Sequence, residues 1–152
     1  MQPLDPEILE KIANMTGCPI WKIQIDLGKA PTVTCPAVNQ REAMLSYHRA
    51  VSGSEKAYVA LKKWDEFSIQ AIESAQTVLA VYVAINFSSQ STELRMAADK
   101  KIDAILRELI KSAETVEELM EIYPSCPPDS QVHSSLAQKL YNMMMMSVPT
   151  RK

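Results

Sequence analysis

The sequence predicts a mainly α-helical fold, a helical bundle carrying a small N-terminal β-hairpin. Three observations lead there. Glycine is scarce, at 3 of 152 residues, while alanine, leucine, lysine and glutamate are plentiful, and that balance favours helix. From Asn39 almost to the C-terminus, apolar residues recur at spacings of three and four, the repeat of one helix face. Between Trp21 and Leu27 the repeat becomes two: Trp21, Ile23, Ile25 and Leu27 alternate with Lys22, Gln24 and Asp26, as in a strand with one buried face.

The first element is a short helix from Asp5 to Thr16. Asp5 can cap it, and Pro6 suits the first helical position, where no N–H is needed. Ile8, Leu9, Ile12 and Met15 give the helical repeat, and Gly17 ends it. Trp21–Leu27 then predicts one strand, Gly28-Lys29 a turn, and Thr32-Val33-Thr34 a returning strand. Such a hairpin must pack on the helices to persist. Pro31 and Pro36 frame the exit. A helix over Asn39–Val51 is stopped by Ser52-Gly53, and Ser54 can cap the next.

That next helix is expected to run from Glu55 to Phe87, with Tyr58, Leu61, Ser68, Ile72, Ala75, Leu79 and Tyr82 on one stripe. Unbroken it would reach about 50 Å at ~1.5 Å per residue, so a kink near Asp65 or Ser68 is expected. Its half from Val78 to Phe87 is apolar on nearly every side and is expected to be buried on every side. Thr92–Ser112 reads as an amphipathic helix, with Leu94, Ala98, Ile102, Ile105, Leu106 and Leu109 inward and an Asp103–Arg107 pair outward. The two long helices would form the spine. Thr115-Val116-Glu117-Glu118 is a capping box opening a short helix that ends at Tyr123-Pro124. After Pro127-Pro128, Asp129 or Ser130 caps a last helix with Val132, Leu136, Leu140 and Met143 on one face. The organisation is a single domain over 1–152: a helix-plus-hairpin unit at 1–38, a helical bundle at 39–146, and a frayed tail at 147–152.

Composition narrows function. Hydrophobic residues at 47% and charged residues at 22% mark a chain able to build a core. A net charge of −2 gives no broad field to attract nucleic acid or to imitate it. The start, Met1-Gln2-Pro3-Leu4-Asp5-Pro6, lacks the basic and apolar regions of a secretory signal. The longest apolar run, Val78–Ile85, is too short to span a bilayer. Cys18, Cys35 and Cys126 are odd in number and form no Cys-x-x-Cys, so reduced thiols and a cytoplasmic location are expected.

Catalytic equipment is not evident in the sequence. His48 and His133 are the only histidines, and no spacing places either beside a cysteine as a nucleophile pair requires. Close-paired zinc ligands are missing, and three glycines at 17, 28 and 53 form no phosphate loop. Asp65-Glu66 and Glu117-Glu118-Glu121 lie on faces that read as solvated. No cofactor, metal or catalytic residue is therefore assigned, although His48 and Tyr47 with nearby carboxylates mark the least implausible place for an enzyme's site. Lys22 and Gln24 could instead face DNA if Leu9–Leu27 formed a helix-turn-helix, with Ala13, Gly17 and Ile23 in the motif's places. Asp26 opposes that reading, so hairpin and recognition helix both stay open for residues 18–35.

The strongest functional signal is the run Met143-Met144-Met145-Met146. Four consecutive residues point all around a helix, so one core face cannot take them all, and methionine suits adaptable binding surfaces. Tyr141, Met144 and Met145 are the expected partner-binding residues, for another protein or for a second copy in a homodimer.

The segment Leu106–Pro124 passes from a helix through Thr115-Val116 and Leu119 to Tyr123-Pro124. It resembles the C-terminal region of small phage and prophage proteins of the nucleotide-modification-associated family, with Tyr-Pro-Ser standing where that pattern has Trp-Pro-Glu. The resemblance implies a phage or bacterial origin and carries no catalytic residue onto this chain. The expected function is a non-enzymatic protein-binding module, an adaptor or inhibitor.

Overall fold

The structure, a computed structural model, describes residues 5–147, and the side chain of Ser147 is not among what it describes. The expected frayed tail lies outside the described residues from 148 on. Eight α-helices follow in order: α1 (Pro6–Thr16), α2 (Ile20–Asp26), α3 (Gln40–Arg49), α4 (Glu55–Ser74), α5 (Val78–Asn86), α6 (Thr92–Ser112), α7 (Val116–Ile122) and α8 (Gln131–Ser147), with a 3-10 turn at Tyr123–Ser125. The chain divides into two compact units. One holds the chain up to Phe67 with Phe87–Ser89, and the other holds Ser68–Asn86 with the chain from Gln90 on.

The first unit corrects the expected hairpin: among the described residues there is no strand. Asp5 caps α1 by accepting from the Glu7 N–H at 2.9 Å, and Gly17, at φ 71°, ends it. Pro19 then stands at the N-cap of α2. The alternation in Trp21–Leu27 does not hold a strand because no alternate face is buried. Trp21, Lys22, Ile23, Gln24 and Ile25 are all half-buried. The proposed return strand has its donors engaged elsewhere. The Thr32 N–H and hydroxyl both donate to the Glu55 carboxylate, at 2.8 and 2.7 Å, between two prolines that limit ladder pairing.

The core of this unit gathers on Trp64, with Ala37 and Ala43 buried beside it and Cys35, Met44, Tyr47, Leu61 and Phe67 packed around them. Neither α1 nor α2 supplies a member of that core, and α2 buries no residue. α1 buries Leu9, and α2 is held by a polar and aromatic latch on Tyr58. Trp21 meets that ring edge-on at 5.6 Å, the Tyr58 hydroxyl donates to Asp26, and the ammonium of Lys62 lies 3.4 Å from the same carboxylate. Lys22 and Lys62 sit 5.4 and 4.9 Å from the Tyr58 ring centre.

The Tyr58 hydrogen bond, aided by Lys62 and Lys22, holds Asp26 below its ordinary 3.8. The Thr32 hydrogen bonds hold Glu55 below 4.5. A lowered native pKa stabilises above the ordinary value and is lost as pH falls through the native one. Protection of α2 amides from hydrogen exchange is therefore expected to be lower than that of α6 and to fall selectively on acidification into the carboxylate range. Tyr58→Phe should lower it further at neutral pH. Equal protection in α2 and α6 under all these conditions would contradict the latch.

The second unit is built around α6, whose bounds match those read from its pattern. Ser91 caps it by accepting from the Leu94 N–H at 3.3 Å. Leu94, Ala98, Ile102, Leu106 and Ile110 are buried. Ile110 takes the inward place expected for Leu109, which is 46% exposed. The core continues through Ile72, Val81, Ala84, Leu119, Val132 and Leu136. Thr115 accepts from the Glu118 N–H at 3.1 Å, while Glu118 reaches one residue beyond the cap, to the Glu114 N–H at 3.1 Å.

Two expectations about 55–87 need correction. The helix breaks at residues 75–77, not near Asp65 or Ser68. The Ser74 hydroxyl donates back to the Gln70 carbonyl at 2.8 Å, and the Thr77 hydroxyl accepts from the Ala80 N–H at 3.0 Å. Two hydroxyls three residues apart thus serve a helix end and a new helix start. The apolar α5 is not buried on every side either. Val81 and Ala84 face the core, whereas Leu79 is 72%, Tyr82 46% and Val83 48% exposed. No helix among the described residues is long and apolar enough to cross a membrane.

Candidate functional site

The site is the outer face of α8. Of the two candidate caps, Ser130 is the one used: its hydroxyl accepts from the His133 N–H at 3.1 Å. Helical spacing then turns Val132 and Leu136 fully into the core, with Leu140 and Met143 packed partly against it. The opposite side carries Ser134, Gln138, Tyr141, Asn142 and Met145, all exposed. The methionine run divides as geometry demands. Met143 leans inward, while Met144, Met145 and Met146 are 57, 55 and 86% exposed and Tyr141 is 61% exposed.

One cation fixes the helix in place. The Lys139 ammonium donates to the carbonyls of Ile110, Lys111 and Ala113, the latter two at 3.1 and 2.7 Å. An ammonium has three donors, and these acceptors lie at the C-terminal end of α6, where carbonyls are left without helical partners. Lys139 and His133 are the only titratable side chains from Gln131 to Asn142 apart from Tyr141. The His133 ring lies against Tyr123, with centres 5.4 Å apart. The outward residues of α8 itself are therefore amides, hydroxyls and apolar groups, and the Arg107 guanidinium of α6 donates to the Gln131 amide oxygen at the start of the helix, 3.2 Å away.

Lys22 and Gln24, the candidate DNA contacts, both lie on α2 and are half-buried. Lys22 lies against the Tyr58 ring, and the Gln24 amide oxygen accepts from Lys29 at 3.4 Å. Ile20 and Leu27, each 41% exposed, put apolar surface where a recognition helix would need polar groups. Asp26 is engaged by Tyr58 and Lys62.

His48 and Tyr47 form an aromatic group with Trp64, at ring distances of 5.4, 5.6 and 5.8 Å. Cys18, Cys35 and Cys126 are free thiols. Cys126 is buried, and burial raises its pKa, which makes it a poor nucleophile. Among the described residues, no three of His, Cys, Asp and Glu converge in a way that could hold a metal.

Sequence reasoning missed the exposed Leu79, Tyr82 and Val83 on α5. A signal was present: no Asp, Glu, Lys or Arg occurs from Ser74 to Thr92. Such depletion of charge marks either a core or the centre of an interface, and periodicity alone does not separate them. No protein-family model matches the chain, and no curated protein or solved structure matches it.

Proposed function

We propose that this protein is a non-enzymatic protein-binding module, an adaptor or inhibitor of phage or bacterial type, acting in the cytoplasm through the outer face of α8. The observation that carries the proposal is the exposure of Tyr141, Met144 and Met145 on this helix. Exposed apolar groups that cluster tend to mark contacts. The free thiols support a reducing compartment. The resemblance of Leu106–Pro124 to small phage and prophage proteins supports the origin.

The test is capture from bacterial lysate with and without nuclease, comparing the wild type with Met144→Glu/Met145→Glu. Retention of a protein by the wild type after nuclease, with at least tenfold less on the double variant, is expected. Equal capture by both would remove α8 from the function.

Binding of DNA through α1 and α2 is a second reading. One observation favours it: two helices joined by three residues, with a left-handed Gly17 at the bend, as in a helix-turn-helix. Measurable affinity for duplex DNA that falls steeply with salt and is weakened by Lys22→Ala would support it. Absence of binding at low salt would end it.

A further inference from the structure

We propose that Met144, Met145 and Met146 form a methionine-oxidation site, converted to sulfoxides by a peroxide-class oxidant while the fold is kept, and that this conversion switches off the α8 face. The switching rests on the reading of that face as a binding surface and names its regulation. The three thioethers occupy consecutive positions and are 57, 55 and 86% exposed, so an oxidant reaches each sulfur from solvent. Met143 differs: it is half-buried and packs against the core of its unit. Met44 packs in the same way against the Trp64 core.

The thiols compete poorly. Cys126 is buried and its pKa raised, Cys18 and Cys35 are half-buried, and a thiol reacts as its thiolate. A thioether needs no deprotonation, so mild acid slows the thiols and leaves the methionines as reactive as before. In the step itself a sulfur lone pair attacks one oxygen of hydrogen peroxide. The S–O bond forms, the O–O bond breaks, and the departing hydroxide takes the proton of the transferred oxygen and leaves as water. Sulfur is oxidised by two electrons and the peroxide reduced by two.

None of the three side chains belongs to the core, so their oxidation leaves the packing of α8 in place. Each sulfoxide replaces a flexible apolar group with a polar one, and three in succession change a continuous end of the helix. Met15, Met96 and Met120 are also exposed, but they stand singly on α1, α6 and α7, so their oxidation alters isolated positions.

The experiment treats the full chain with hydrogen peroxide in mildly acidic buffer and follows it by mass spectrometry, circular dichroism and lysate capture. The tryptic peptide after Lys139 carries all four methionines of the run. It is expected to gain three oxygens, at 144, 145 and 146, roughly tenfold faster than the fourth at Met143, with helix content and cooperative unfolding kept. Capture should fall by about fivefold and return after treatment with sulfoxide reductases for both epimers. Met15→Leu/Met96→Leu/Met120→Leu should lose capture on oxidation to the same extent as the wild type.

Oxygen taken up at Met143 as fast as at its neighbours, or loss of helix on oxidation, overturns the site. Capture that Met144→Glu/Met145→Glu abolishes but full oxidation leaves intact overturns the switch while the binding surface stands. Loss of capture that the Met15, Met96 and Met120 replacements prevent also overturns it. If the untreated protein captures nothing, the binding surface and its regulation fall together.

Discussion

Trp64→Ala is expected to lower stability by about 3–5 kcal/mol, the usual cost of emptying a large buried aromatic site. Trp64 is 6% exposed and is the largest member of its core. Its ring is also the surface on which Tyr47 and His48 rest. Its indole N–H donates to the Phe87 carbonyl at 2.7 Å, so the alanine variant loses a hydrogen bond together with the packing. At a denaturant slope of ~2 kcal/mol per molar, the urea midpoint should drop by about 2 M. Trp64→Phe separates the contributions: most of the ring is kept, and the loss should approach the ~1 kcal/mol of one hydrogen bond plus a small cavity. A midpoint unchanged in Trp64→Ala would mean that this core does not govern the unfolding of its unit.

The second large effect is expected at Lys139→Met. Methionine keeps an unbranched apolar stem and removes only the ammonium. Three carbonyls then lose their shared donor, two of those bonds being partly buried. A charge-assisted bond at a helix C-terminus supports a cost of about 2 kcal/mol. Lys111→Met is the control. Lys111 contributes its main-chain oxygen to the contact, while its side chain is exposed in the last turn of α6, so replacing it should cost under about 1 kcal/mol. Thermal unfolding of both variants distinguishes the anchor from general loss of positive charge. Equal shifts in Tm would refute it. Because α8 is set by this contact, Lys139→Met should also weaken any binding that depends on Tyr141 and Met145.

How much of this could be read from the sequence depended on whether a local signal had a tertiary competitor. The bounds of α6 were legible because the recurring apolar positions and the polar outer face agree over the whole of Thr92–Ser112. The cap of α8 was legible to within one residue for the same reason. The region from Trp21 to Leu27 was not legible, since a seven-residue helix is too short for its period to dominate over a chance alternation. Only the engagement of Asp26 and Trp21 with Tyr58 on a distant helix decides between the two. The break after Ser74 was present in the sequence as Ser74 and Thr77, but the apolar stripe runs straight through it and hid the punctuation. On α5, apolarity was read as burial, although burial requires neighbours on every side. At the candidate site, the methionine run itself was conspicuous. Which of the four turns inward depended on the register set by Val132 and Leu136.

The anchor at Lys139 also governs which positions are free to drift. Its three acceptors are main-chain oxygens, a feature that every amino acid brings to its position. Residue 111 can therefore be exchanged widely without the contact being lost, and residues 110 and 113 answer only to the packing of their own buried side chains. All of the contact's heritable information resides in one codon. A single base change there can unseat the end of α8, whereas the other half of the contact is almost immune to mutation.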